Sequence, residues 1–177
     1  DGRIRRETLP GQPDPAVYLT PFYQAEVGVA GAFLASEGYA LAPKIDEYRI
    51  PTLFPIVSAD DLSQRKPVKW LVRSGWTSSQ PNHPFGEYVV KTLGYKRIVT
   101  VAMDYAFGWE SNAGFQRVFE DNGGKVVQKL WPPLGTADFG PYVAQLRRDV
   151  DAVFAQFSGA DALRFAKQFS DVGLKGR

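Results

Sequence analysis

The sequence predicts an α/β protein built on parallel strands, and three observations carry that reading. From Glu26 onward, short apolar runs alternate with amphipathic segments. The second half repeats one strand-then-helix theme three times. Glycines stand where the helices should stop, at Gly94, Gly123-Gly124 and Gly173. The chain has 177 residues, 44% of them hydrophobic and 23% charged, the balance of an ordinary globular protein with room for one core or two small ones.

Val27–Phe33 reads as a buried strand, followed by a helix whose Gly38, Leu41, Ala42 and Ile45 fall at i, i+3, i+4 and i+7. Pro51 ends that helix near Arg49. Thr52–Val57 is the next strand, in which Pro55 cannot donate to a ladder and so stops or bulges the pairing. A polar loop over 58–69 leads to an extended segment, Trp70–Trp76. After a turn-rich stretch comes a helix with Phe85, Tyr88, Val89 and Thr92 on one face.

Ile98–Met103 is a buried strand, and Trp109–Asn122 a helix with Phe115, Val118 and Phe119 inward. Lys125–Trp131 is another strand. Asp138 stands as the N-cap of a helix carrying Phe139, Tyr142, Val143 and Leu146. Asp151–Phe157 is a strand, and Ala162, Phe165, Ala166, Phe169 and Val172 form the stripe of a last helix. Before Glu26, Pro10, Pro13, Pro15 and Pro21 are too dense for a helix. The opening Asp1–Arg6 reads as a turn entering a strand, and both ends read as cut from something longer.

Composition narrows the function. The 21 basic and 19 acidic residues are scattered and leave a net charge of +2, which provides no concentrated field for nucleic acid or an anionic membrane. No apolar run is long enough to span a bilayer, so no direct membrane insertion is expected. The absence of cysteine excludes disulfides, thiolate metal sites and cysteine nucleophiles. No dinucleotide fingerprint, phosphate loop or nucleophile elbow is present, and no metal site or cofactor is expected. The one histidine, His83, lies between Asn82 and Pro84 in a turn, as a helix-entry or surface residue without a neighbour resembling a metal or triad partner. A binder is expected, not an enzyme.

Open parallel sheets bind ligands at the carboxyl ends of their strands. The residues at those ends are Phe33–Ser36, Val57-Ser58, Trp76-Thr77, Asp104–Phe107 and Phe157-Ser158. Ser36, followed by a helix, either caps that helix or joins its backbone N–H groups in seating a carboxylate. Ser58 is either a turn former or a ligand contact. Trp76 and Phe107 are either core or flat apolar walls, and Asp104 and Tyr105 serve as closers of a turn.

Phe33-Leu34-Ala35-Ser36 and Ile50–Pro55, then Arg73–Gln80, then Asp104–Gly108, Gly123–Val127, Asp138-Phe139 and Gly173–Gly176 resemble, in order and spacing, the branched-chain amino-acid receptors of ABC transporters, the type I periplasmic binding proteins. The resemblance covers roughly Glu26 to the end. It implies two Rossmann-like lobes with parallel sheets flanked by helices, here truncated: part of lobe I over 1–76, most of lobe II over 77–177, and a crossover near 73–80. It implies a small carboxylate in the cleft, a membrane permease as partner and a periplasmic location.

Carried over by position, Ser36 binds the ligand carboxylate, assisted by the backbone around Val57 and by Ser58. Phe107 stands where the amino-acid binders place a tyrosine, and Phe157-Ser158 lies near another contact. That exchange removes a hydroxyl, and the acidic partner for an α-amino group is missing. The wording Trp76-Thr77 with Asp104–Gly108 is similar to members that bind aromatic carboxylates. The rivals are a ligand-sensing module of the same fold and an α/β enzyme, which would need a nucleophile with its base.

Overall fold

The computed structural model describes residues 4–7, 16–19, 34–55 and 57–173. Its elements in order are β1 (Ile4–Glu7), β2 (Ala16–Leu19), α1 (Leu34–Tyr48), β3 (Thr52–Phe54), a short 3-10 turn (Asp60–Leu62), β4 (Leu71–Arg73), α2 (Asn82–Lys91), β5 (Arg97–Ala102), α3 (Ala106–Asp121), β6 (Lys125–Leu130), α4 (Gly140–Ala144), β7 (Ala152–Gln156) and α5 (Gly159–Asp171). The expected α/β organisation holds. The strand expected at Val27–Phe33 lies outside the described residues.

β5 is the centre of a three-stranded parallel sheet in the order β6-β5-β7, with Ile98 opposite both Val126 and Ala152. Alternation along β5 sends its side chains to two faces, both covered. Val99 and Val101 meet Phe139, Val143, Leu146 and Phe165 on one side. Ile98 joins Phe154, Val89, Val90, Phe115 and Phe119 on the other. A separate core gathers Ile45, Phe54, Val57, Ala59, Leu62 and Val68 around the parallel pair β3-β4.

β3 stops at Phe54, as Pro55 requires, and α1 runs to Tyr48 with Pro43 on its solvent side. The N-terminal stretch contains an antiparallel pair, Ile4 opposite Leu19, where the proline-rich sequence gave no strand signal for Ala16–Leu19. The extended segment expected over Trp70–Trp76 pairs only at Leu71–Arg73.

Two helix faces differ from expectation. α2 buries Asn82, Gly86, Val89 and Val90, whereas Phe85 and Tyr88 are 41% and 48% exposed. Gly86 is the cause: a Cβ there would stand 2.7 Å from the Phe115 carbonyl oxygen, so the bare backbone of α2 faces α3 and Phe85 is displaced to the flank. α5 buries Asp161 and Phe165, half-buries Ala162 and Phe169, and leaves Ala166 exposed, as is Val172 just past its end; Phe165 and Phe169 pack with Val99, Val101, Phe139 and Val143. Asp138 also acts one step early. Its Oδ1 accepts the Gly140 N–H at 2.8 Å while α4 begins without a side-chain cap.

At the opposite end of the sheet, Asp151 accepts the backbone N–H groups of Lys96 (2.7 Å) and Arg97 (2.8 Å). These two bonds hold its carboxyl below the usual carboxylate range of 3.8, with the Arg97 charge adding to the effect. A carboxyl whose folded pKa is depressed stabilises the fold above its unfolded pKa, and that contribution disappears as pH falls through the folded value. Asp151→Asn is therefore expected to show a smaller drop in urea midpoint between about pH 6 and about pH 3 than the parent. An equal drop in both would remove Asp151 from the acid response.

Candidate functional site

The carboxyl ends of β5 and β7 lie side by side, with Ala102 opposite Gln156. Past β5 the chain turns tightly. Met103 N–H reaches the Gln156 carbonyl at 3.2 Å, Asp104 N–H the Pro132 carbonyl at 2.9 Å, and Tyr105 N–H the Met103 carbonyl at 2.9 Å, after which α3 begins. The Trp109 indole N–H returns to Asp104 Oδ1 at 2.9 Å and locks that turn. The first turn of α3 can lie this close only because residue 108 is glycine, since a Cβ would fall 2.0 Å from the Met103 carbonyl oxygen.

Phe107 is half-buried, its ring 6.1 Å from that of Tyr105. The Tyr105 phenol lies near Ser158, at the neighbouring strand end. Burial raises its pKa above the ordinary 10.0, the Ser158 hydroxyl opposes that rise, and nearby Asp161 adds to it. Tyr105 thus stays a neutral donor and acceptor. Ser158 is exposed, also approaches Met103 Sδ at 3.7 Å, and starts α5 without a side-chain cap bond. Phe157 turns inward, edge-on to Phe139 at 5.2 Å and stacked on Phe165 at 4.6 Å, so it offers this edge its backbone and not its ring.

Ser58 lies beyond β3, in the other parallel sheet, in a buried polar joint. Its carbonyl accepts both the N–H (2.8 Å) and the hydroxyl (3.0 Å) of Ser78, and the two hydroxyls are 3.0 Å apart. Asp60 Oδ1 accepts the Ser79 N–H at 3.2 Å, and Asp60 N–H donates to Glu110 at 3.1 Å. The Ser78 carbonyl also receives Asn82 (2.8 Å) and Ser111 (3.3 Å), and Gln156 donates to Asn82 Oδ1 at 3.0 Å. This chain of bonds ties the loop after β3 to α2, α3 and β7. Val57 is buried in the core beside that loop.

Trp76 is 67% exposed, a flat apolar surface and not a core residue. Ser36 is the third residue of α1, within its first turn, where backbone N–H groups lack helical partners. His83 is the second residue of α2 and half-buried. Among the described residues, no group of acidic or histidine side chains could hold a metal, and no helix is long and apolar enough to cross a membrane.

The structure therefore brings together Tyr105, Phe107 and Ser158 of the sequence candidates, and pairs Ser58 with Ser78. Tyr105 had been assigned only a turn. The polar joint was not anticipated as a unit, although Ser111, a polar residue on the inward face of α3, was the available signal. The arrangement offers hydroxyls, helix-start N–H groups and aromatic surface, the means to hold a small molecule by one polar end and one flat face.

A family model described as "Periplasmic binding protein" matches residues 24–177. Leu/Ile/Val-binding protein homolog 6 of Brucella melitensis is 29% identical over 149 residues, covering 83% of this chain and 37% of that protein. Among solved structures, a solute binding protein of an ABC transporter from R. palustris in complex with benzoate has a TM-score of 0.75 at 28% identity, over 79% of this chain and 39% of the other. Another from Rhodopseudomonas palustris HaA2, in complex with p-hydroxybenzoic acid, has a TM-score of 0.70 at 30% identity, over 78% and 37%. The chain thus spans less than two fifths of the length of the curated relative it matches.

Proposed function

We propose a function from one premise: this chain belongs to the periplasmic binding protein family. It is part of the solute-binding component of an ABC transporter, working in the periplasm, which captures a small carboxylate and presents it to a membrane permease. Residues 1–76 belong to one lobe and 77–177 to the other, with the crossover near 73–80. The cleft between them holds the ligand. The protein binds its ligand and does not transform it.

An aromatic acid is the preferred ligand. The observation that carries this choice is Phe107, half-buried beside the Tyr105 ring at the carboxyl end of β5. A pair of rings there favours a flat apolar ligand body. The benzoate-bound relative supports the same choice, while the name of the Brucella relative supports an aliphatic amino acid as the alternative. Ser36 and the first turn of α1 hold the carboxylate, with help from the backbone at Val57, from Ser58 and from the backbone at Phe157. Trp76, Phe107 and Ser158 complete the contacts.

The test is a thermal-shift series on the complete polypeptide with benzoate and with leucine. A ligand that binds only the native state at about 100 times its Kd adds about 2.7 kcal/mol of stability. Benzoate is expected to raise the Tm and leucine not to. Ser36→Ala is expected to weaken benzoate binding by about 1–3 kcal/mol through loss of a charge-assisted hydrogen bond. Stabilisation by leucine alone would overturn the ligand choice, and chemical conversion of the ligand would overturn the binder.

A further inference from the structure

We propose that Thr100 and Asn112 form an internal hydration site, in which bound water bridges the Thr100 hydroxyl of β5 and the Asn112 amide of α3. The site lies behind the carboxyl edge of the sheet and does not depend on which small carboxylate the protein takes.

Topology puts the two side chains at one level. Alternation along β5 sends Thr100 to the same face as Ile98, which packs with Phe115 and Phe119 of α3. α3 runs back along β5. Gly108 in its first turn lies against the Met103 carbonyl at the top of the strand, and Phe115 and Phe119 meet Ile98 lower down. Asn112 stands between Gly108 and Phe115 on the helix, about one turn from each, as Thr100 stands between Met103 and Ile98 on the strand. Ala102, the next residue on the Thr100 face, brings no more than a methyl group.

Both side chains are sealed from solvent. Thr100 is 1% and Asn112 3% exposed, and among the described residues neither the Thr100 hydroxyl nor either end of the Asn112 amide has a hydrogen-bond partner. Nearby polar side chains do find partners. Ser111, beside Asn112, reaches the Ser78 carbonyl at 3.3 Å, and Asn122 past the end of the same helix bonds back to the Val118 carbonyl at 2.8 Å. A buried amide or hydroxyl with no partner is costly, and interior water is the usual remedy. The amide offers two donors and an acceptor oxygen, the hydroxyl one donor and an acceptor oxygen, and water both donates and accepts. Water held between them accepts from one and donates to the other.

The experiment joins a high-resolution crystal structure of the complete polypeptide to urea titrations of Thr100→Val, Asn112→Leu and the double variant. Ordered water is expected within hydrogen-bonding distance of both Thr100 Oγ1 and the Asn112 amide. Thr100→Val keeps the side-chain shape and removes the bond to water, so the folded-to-unfolded ratio is expected to fall about fivefold. The double variant should lose less than the two single losses combined, because both changes act on one bridge. A dry, unpaired site gives the opposite sign, since replacing an unsatisfied buried hydroxyl by a methyl raises the ratio. That rise, or a structure with no water touching both side chains, overturns the inference. Coupled losses without such water mean a direct bond between the side chains and overturn it as well. If Asn112→Leu fails to fold, the Thr100→Val titration and the crystal structure decide.

Discussion

Replacing Phe115 by alanine is expected to lower stability by about 3–5 kcal/mol, the range for a fully enclosed aromatic removed from a core. Phe115 has no exposed surface, and its ring stacks on Phe119 at 5.1 Å and on Phe154 at 4.1 Å, with Phe85 at 5.9 Å. It therefore joins α3, β7 and α2 in one contact set. The void cannot collapse easily, because Gly86 already brings α2 against the α3 backbone at this level. A urea titration followed by circular dichroism reads the change. Phe115→Leu, which keeps most of the volume, should lose less, and a loss under 1 kcal/mol for the alanine variant would mean that this cluster does not hold α3 to the sheet.

Gly108→Ala is expected to cost more than about 3 kcal/mol, although alanine is the better helix former by about 1 kcal/mol. The new methyl would fall 2.0 Å from the Met103 carbonyl oxygen and 3.0 Å from its carbon. Both are backbone atoms at the end of β5 and cannot move aside as a flexible side chain would. Relief requires the start of α3 to lift, carrying Tyr105 and Phe107 with it. The same variant should therefore also bind the aromatic acid proposed above more weakly. A variant as stable as the parent would show that overlap at this turn is relieved at little cost.

The βα units of the second half were legible because each strand is a compact run and glycine follows α2, α3 and α5. Gly94 and Gly123 do adopt positive φ, at 74° and 89°. The pair β1-β2 was not legible, since its strands are short and the intervening prolines mask any alternation. Helical period alone assigned Phe85 and Tyr88 to the inner face of α2. It could not register that a glycine between them would let a neighbouring helix approach and set the rotation. The edge positions of Phe107 and Ser158 followed from strand ends, but their partners did not. Period-two counting in β7 puts Phe157 on the same face as Val153, which is how its ring reaches the Phe139 and Phe165 cluster. The contact of the Ser158 hydroxyl with Met103 Sδ links residues 55 positions apart and leaves no local trace.

The joint formed by Ser58, Asp60, Ser78, Ser79, Asn82, Glu110 and Ser111 is made of hydrogen bonds between short polar side chains and backbone. Exposing polar surface to water lowers heat capacity, whereas exposing apolar surface raises it. Any rearrangement centred on this joint thus has an enthalpy that drifts little with temperature, unlike unpacking of the phenylalanine clusters.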